Sequence, residues 1–395
     1  RRAALFPTEA LSRTEAPYGP AHQGVCTRVN RTLRTSLVAA VAGGAMLAVP
    51  AAALGVATGS GASFPARAYQ LWCQDSGLCS YTSKGSTGGI TDQINGVTDW
   101  GGTDAPLTPD QLARFSSSRG GAKPLYFPTL IGAITVPVNI DGVRNIKLDG
   151  PVIADIFEGK IDNWGDRRIV RSNPGVRLPS TSITRCVRQD GSGTSFGFTS
   201  YLSKVSRTFR ANIGASQQPN WPSGVTVQRG PQNPGVARCV NDNKNSIGYV
   251  DIADARNFGF TSKWAAVGKR EVVTKRVKRG NRTRIVRQRV TRYIQPSAGA
   301  TSKAANLRSF KADLTLSLTN SPASGAYPIS ITTWVIVPDN FARAGKSAST
   351  RQDVVRMLNY FYSDAAQRRL RELQFAPLPK GLIDFIKRNQ LPKIR

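Results

Sequence analysis

Nine residues, Arg188-Gln189-Asp190-Gly191-Ser192-Gly193-Thr194-Ser195-Phe196, carry the densest chemistry in this chain. Small residues there run straight into a helix-like segment, Phe196 to Val205. The first backbone N–H groups of a helix are free, and the helix dipole behind them is positive, so anions gather there. Serine and threonine hydroxyls add donors, and Arg188 adds a permanent charge with a planar fork of N–H groups. Among the charged groups Asp190 alone accepts, and its spacing suits it to hold Arg188 in position. The set fits a small oxyanion.

Two further stretches share the design of strand, small residues, then helix. Gly59-Ser60-Gly61-Ala62-Ser63-Phe64-Pro65 leads into a helix over Ala66 to Trp72, with Pro65 suited to a first helical turn. Ser80 to Thr82 reads as a strand, after which Lys84-Gly85-Ser86-Thr87-Gly88-Gly89 opens a helix over Ile90 to Asn95. Asp99 to Pro106 reads as a short strand ending in a turn. Leu125 to Ile140 reads as one long buried strand, and Ile183 to Val187 as another that feeds the Arg188 loop. One Gly/Ser-rich turn is usually only a turn. Three, in a chain that alternates strand and helix, are a pattern, because open α/β sheets bind ligands at the carboxyl ends of their strands.

The 395 residues suggest two domains, or three at most, and 40% apolar residues suffice for real cores. Lys and Arg number 54 against 24 Asp and Glu, a net charge of +30, which points to anionic partners or surroundings. No helix-turn-helix, zinc-finger or RNP-like pattern accompanies that charge, so no specific nucleic acid is expected. The one histidine, His22, precedes the folded part, which excludes an imidazole base and histidine-ligated metal there.

Residues 1–58 read as a leader. Arg28, Arg31 and Arg34 precede an alanine-rich apolar run from Ser36 to Ala57, the form of a secretory signal, with cleavage expected near Ala53 to Ala57. An uncleaved anchor is the alternative, since the run is long enough to span a bilayer. Residues 1–27 resemble neither leader nor domain, and the true start is expected near Val29. Residues 1–58 hold six basic and two acidic residues, so the remainder keeps +26. Export favours paired thiols. Cys73 and Cys79 are close enough in sequence to close a small loop, leaving Cys186 and Cys239 as a long-range pair, but four cysteines permit three connectivities.

The motifs, taken together, resemble the high-affinity phosphate-binding proteins of bacterial ABC-type phosphate importers, which are extracytoplasmic solute-binding proteins. The matching segments are Gly59-Ser-Gly-Ala-Ser-Phe-Pro-Ala66, Gly85-Ser-Thr-Gly-Gly89, Thr103-Asp-Ala-Pro106 and Phe127-Pro-Thr-Leu-Ile-Gly132. Next come Ile153-Ala-Asp-Ile-Phe-Glu-Gly-Lys-Ile-Asp-Asn-Trp164, Asn173-Pro-Gly175, Asp190-Gly-Ser-Gly-Thr-Ser-Phe196 and Phe198-Thr-Ser-Tyr-Leu-Ser-Lys-Val205. Ile247-Gly-Tyr-Val250 and Tyr327-Pro-Ile329 complete the series, in the family's order.

The resemblance implies an α/β, two-lobed periplasmic-binding-protein fold of type II, with the ligand in a cleft between lobes. Lobe I would comprise 59–136 and 328–395, and lobe II 137–327, with Ile329 to Val337 as a crossing strand and Asp353 to Tyr362 as an amphipathic helix. It implies inorganic phosphate as ligand, a membrane permease as partner, and no cofactor, metal or catalytic residue. The implied ligands are Ser63, the N–H of Phe64, Ser86, Asp104, Arg188, Ser192, Gly193 and Thr194, with Asp190 orienting Arg188. Each role is chemically sound. Phosphate keeps a proton near neutral pH, which an acceptor such as Asp104 can take, whereas sulfate would meet Asp104 anion to anion. The simpler readings are an Asx turn for Asp104, a surface ion pair for Arg188 and Asp190, and plain helix capping for Ser192 and Thr194.

Residues 268–292 depart from that family. Eleven basic residues and Glu271 give a net +10 on two β-rich runs expected to turn at Gly280-Asn281. An exposed, soluble hairpin is the plain expectation; an anionic cell-envelope polymer, acidic lipid headgroups or the gathering of phosphate are the functional ones. Two other functions compete for the whole chain: a secreted phosphatase on the same scaffold, and a basic envelope or nucleic-acid-binding surface protein.

Overall fold

The computed structural model describes residues 55–279, 282–305 and 313–395. The expected leader up to residue 54, with His22 and Cys26, and the expected turn at Gly280-Asn281 lie outside the described residues. Among the described residues no helix is long and apolar enough to cross a membrane.

Among the described residues thirteen strands form three sheets. In chain order they are β1 (Ala57–Gly61), β2 (Cys79–Ser83), β3 (Trp100–Thr103), β4 (Pro124–Thr135), β5 (Val138–Asn139) and β6 (Lys147–Asp149). Then come β7 (Thr184–Arg188), β8 (Val227–Gly230), β9 (Ser246–Gly248), β10 (Val250–Asp251), β11 (Ala266–Arg279), β12 (Arg282–Ile294) and β13 (Ser330–Pro338). The first sheet has the order β10-β4-β13-β3-β1-β2, the second β5-β9-β7-β8, and the third β12-β11-β6. In the first sheet β1 is parallel to β2 and β3, and in the second β7 is parallel to β8 and β9. The carboxyl ends of β1, β2, β3 and β7 therefore lead into the loops singled out from sequence.

The apolar run 125–140 is two strands rather than one. β4 pairs with β13 in the first sheet, and β5 pairs with β9 in the second. Pro137 sits between them and has no N–H to give to a ladder. β13 is buried along its whole length, and so is nearly all of β4, which is why both read as unbroken apolar runs.

Two aromatic clusters fix the helices behind the loops. Tyr69 stacks on Phe361 at 5.5 Å and meets Trp100 edge-on at 5.3 Å, holding helix Ala66–Ser76 against the first sheet. Phe198 stacks on Tyr249 at 4.5 Å and meets Phe157 edge-on, holding helix Gly193–Val205. Such pairs add about 1 kcal/mol each beyond the area they bury. Both cysteine pairs are bonded: Cys73 to Cys79, and Cys186 to Cys239. The second joins β7 to helix Gln232–Asp242 across a separation of 53 residues. On chain-entropy grounds it contributes about 4 kcal/mol, against about 2 for the short loop.

Candidate anion-binding site

Four helix starts and one strand converge on a single buried point. Two helices begin earlier than their sequence pattern suggests, at Ser86 instead of Ile90 and at Gly193 instead of Phe196. Ser86, Gly193 and Thr194 are thus first-turn residues, whose N–H groups have no partner one turn back. Ser192 caps its helix by accepting from the Ser195 N–H at 3.0 Å. The capping reading of Ser192 is therefore realised.

The loops touch directly. Ser86 Oγ accepts from the Gly193 N–H at 3.0 Å and from the Asp104 N–H at 3.3 Å. A Cβ on Gly193 would stand 2.6 Å from Asp104 Cβ, so only glycine permits this approach. Ser63 Oγ accepts from the Asn233 N–H at 3.2 Å, and Asn233 Nδ2 donates to Thr194 Oγ1 at 3.3 Å. Ser63, Phe64, Ser86, Asp104, Arg188, Ser192 and Thr194 are all buried. Among the described residues the N–H groups of Phe64 and Thr194 have no acceptor in the chain. Buried amides are seldom left so.

Arg188 does not form a surface pair. Its side chain is 1% exposed. Nε donates to Asp190 Oδ1 at 2.9 Å, a second guanidinium nitrogen donates to Asp190 Oδ2, and Nη1 donates to Asn233 Oδ1 at 3.3 Å. Asp190 is fixed in turn by accepting from the Gln232 N–H at 2.8 Å. A bidentate carboxylate leaves the guanidinium one defined direction for further donation.

Asp104 forms no Asx turn either. The local turn is made by Thr103, whose Oγ1 donates to the Ala105 carbonyl at 2.7 Å. Asp104 Oδ1 instead accepts from Thr333 Oγ1 at 2.7 Å, and Oδ2 is buried with no hydrogen-bond partner among the described residues. The β4–β13 register shifts between Thr333 and Trp334, an irregularity of the kind that re-aims a side chain. Burial pushes the Asp104 carboxyl up to about 7, against the hydrogen bond from Thr333, the charge of Arg188 and the nearby hydroxyls of Thr194 and Ser86. A cavity of about 390 Å³ opens beside Asp104, walled by Phe196, Leu318, Ile331 and Trp334.

The raised Asp104 value has a measurable consequence in the free protein. Between pH 4 and 7 the folded chain holds a proton there that the unfolded chain has released. That contribution to stability is complete below pH 4 and is lost as pH rises through about 7, amounting to at most about 4 kcal/mol. Asp104→Asn should therefore flatten the decline in melting temperature between pH 5 and 8; an unchanged slope in thermal melts would count against a buried, proton-holding Asp104.

Asn233, Thr333 and Tyr249 belong to the constellation and were not singled out from sequence. Tyr249 Oη accepts from the Arg188 N–H at 3.2 Å and lies 2.8 Å from Ser195 Oγ. Among the described residues no group of three or more His, Cys, Asp or Glu could hold a metal ion.

Comparison with known proteins points the same way. A family profile described as "PBP superfamily domain" matches residues 48–350. The curated phosphate-binding protein PstS of Xylella fastidiosa strain Temecula1 is 33% identical over 341 residues, 83% of each chain. That of Pasteurella multocida is 31% identical over 340 residues, 83% of this chain and 88% of its own. A solved high-affinity periplasmic phosphate-binding protein with phosphate bound superposes with a TM-score of 0.65 at 20% identity, covering 85% of this chain and 93% of that one. At that identity the likeness speaks for the fold, which is the two-lobed α/β binding-protein architecture.

Proposed function

The chain belongs to the PBP superfamily and to its phosphate-binding proteins, and from that premise we propose that it binds inorganic phosphate outside the cytoplasm and passes it to an ABC-type importer. The observation that carries this reading is the pairing of one buried, hydrogen-bond-deficient carboxylate with a cluster of donors. Asp104 Oδ2 lacks a donor, while the amides of Phe64 and Thr194 lack acceptors. A tetrahedral oxyanion that carries one proton supplies both.

On this reading Ser63, the Phe64 N–H, Ser86 and Thr194 donate to phosphate oxygens, Gly193, whose N–H serves Ser86 Oγ, lets the two loops close on the ion, Arg188 supplies the fixed charge, and Asp104 accepts the phosphate proton. Ser192 accepts from the Ser195 N–H as helix cap, which leaves its own O–H free to donate to phosphate as well. Asp190 and Asn233 position Arg188. The lobes divide into 59–136 with 328–395, and 137–327, with β10 returning to the edge of the first sheet. Ser63, Ser86 and Asp104 then face Arg188 to Thr194 across the cleft, and closure upon the ion brings donors from both sides together.

The chain acts without turnover. The secreted-phosphatase alternative needs a nucleophile with a proton carrier or a metal; the hydroxyl hydrogen-bonded to Asp104 belongs to Thr333, which is wholly buried inside β13 and so is not presented as a nucleophile. Calorimetry should give one phosphate per chain, and a chromogenic phosphoester should release nothing above background; sustained release would replace the receptor with an enzyme. Deleting 272–290 should leave phosphate affinity within about threefold at moderate salt, because the ribbon's exposed charges are screened by salt. A larger loss would tie the ribbon to the site.

A further inference from the structure

We propose that the β11–β12 ribbon is an arm that lays the protein on an anionic lipid bilayer. Thirteen antiparallel pairs run from Val267↔Ile294 to Arg279↔Arg282, a two-stranded ladder on the order of 40 Å long. The base is anchored. β11 pairs with β6, and Glu271 accepts from the Gly325 N–H at 2.8 Å and Ser324 Oγ at 3.2 Å while facing Arg292 at 3.2 Å. Beyond that point residues 274–278 and 283–289 are exposed.

The register sorts the side chains. Side chains alternate between faces, and directly paired residues share one. The pairs Val272↔Arg289, Thr274↔Arg287, Arg276↔Ile285 and Lys278↔Thr283 therefore set Arg270, Arg276, Lys278, Arg287 and Arg289 on one face, around Val272 and Ile285. Those two aliphatic side chains are 62% and 68% exposed. Cations alone would suit any polyanion. Aliphatic side chains among the cations suit a headgroup layer, which neutralises the charge and takes the apolar tips into the acyl boundary. A cell-envelope polymer, another of the partners the sequence leaves open, would use the cations and leave Val272 and Ile285 in water. A single-stranded nucleic acid would want aromatic platforms, and the ribbon has only Tyr293, at its base.

The test is co-sedimentation of the full chain with vesicles of phosphatidylcholine, alone or with phosphatidylglycerol. Two variants accompany it: Val272→Ser with Ile285→Ser, which keeps every charge, and Arg276→Gln with Arg287→Gln. The apolar run at 36–57 is common to all three chains, so differences between them report the ribbon. The parent should favour anionic over neutral vesicles by about tenfold, and each variant should lose about fivefold or more of that binding while phosphate titration stays unchanged. Equal binding to both vesicle types would overturn the proposal. So would an aliphatic variant that binds anionic vesicles as the parent does, which would leave a charge-only contact with a polyanion instead.

Discussion

Arg188→Ala should weaken phosphate and sulfate together, by roughly 30-fold to several thousandfold. Truncating one partner of a buried, hydrogen-bonded charge pair costs about 2–5 kcal/mol, and each 1.4 kcal/mol is tenfold in affinity. Two effects add. The anion loses its fixed countercharge, and Asp190, which now receives two guanidinium donors, is left as an uncompensated negative charge beside the site. Both oxyanions carry the same tetrahedron of oxygens, so both must suffer. Arg188→Lys should recover part of the charge but not the fork, and should fall between. A calorimetric titration in which Arg188→Ala spares sulfate while abolishing phosphate would contradict the role given to this side chain.

Asp104→Asn should act on discrimination more than on phosphate. At about pH 7 Asp104 is poised between its two forms. Sulfate brings no proton, so it can enter only against a protonated Asp104. Above pH 7 its affinity should fall about tenfold per unit as that proton becomes scarcer. Phosphate brings the proton with it and escapes the penalty. With asparagine the penalty disappears: at pH 8.5 sulfate should bind about thirtyfold more tightly than to the parent, and its pH dependence should vanish. Phosphate should lose about tenfold, the difference between a charged and a neutral acceptor for one hydrogen bond. Equal changes for both anions would remove this account of selectivity.

The parts of the site that sequence made legible are those whose signal is local. The loops at Ser63, Ser86 and Arg188 each carry their own small residues, their own helix start and their own strand before them. Asp104 was visible through its turn, although the turn itself belongs to Thr103. The alternating cations and aliphatics of 268–292 likewise announced paired strands. Thr333 gave no such sign, because it lies inside a buried apolar strand and meets Asp104 across 229 positions. Asn233 sits in Gln232-Asn233-Pro234-Gly235, which reads as an ordinary turn. Its three partners, Ser63, Arg188 and Thr194, come from two distant loops, one of which the Cys186–Cys239 bond helps hold beside it. Pro137 was a visible strand breaker, and its weight against the long apolar run 125–140 shows how a composition pattern can mask a single backbone constraint.

The most direct measurement is a paired titration of the parent protein with phosphate and with sulfate at pH 6 and pH 8.5. A carboxylate that inspects the ligand for a proton predicts one phosphate site whose affinity barely follows pH, and a sulfate affinity that drops by about thirtyfold between pH 6 and pH 8.5. Sulfate binding as tight as phosphate at pH 8.5, with no dependence on pH, would contradict it.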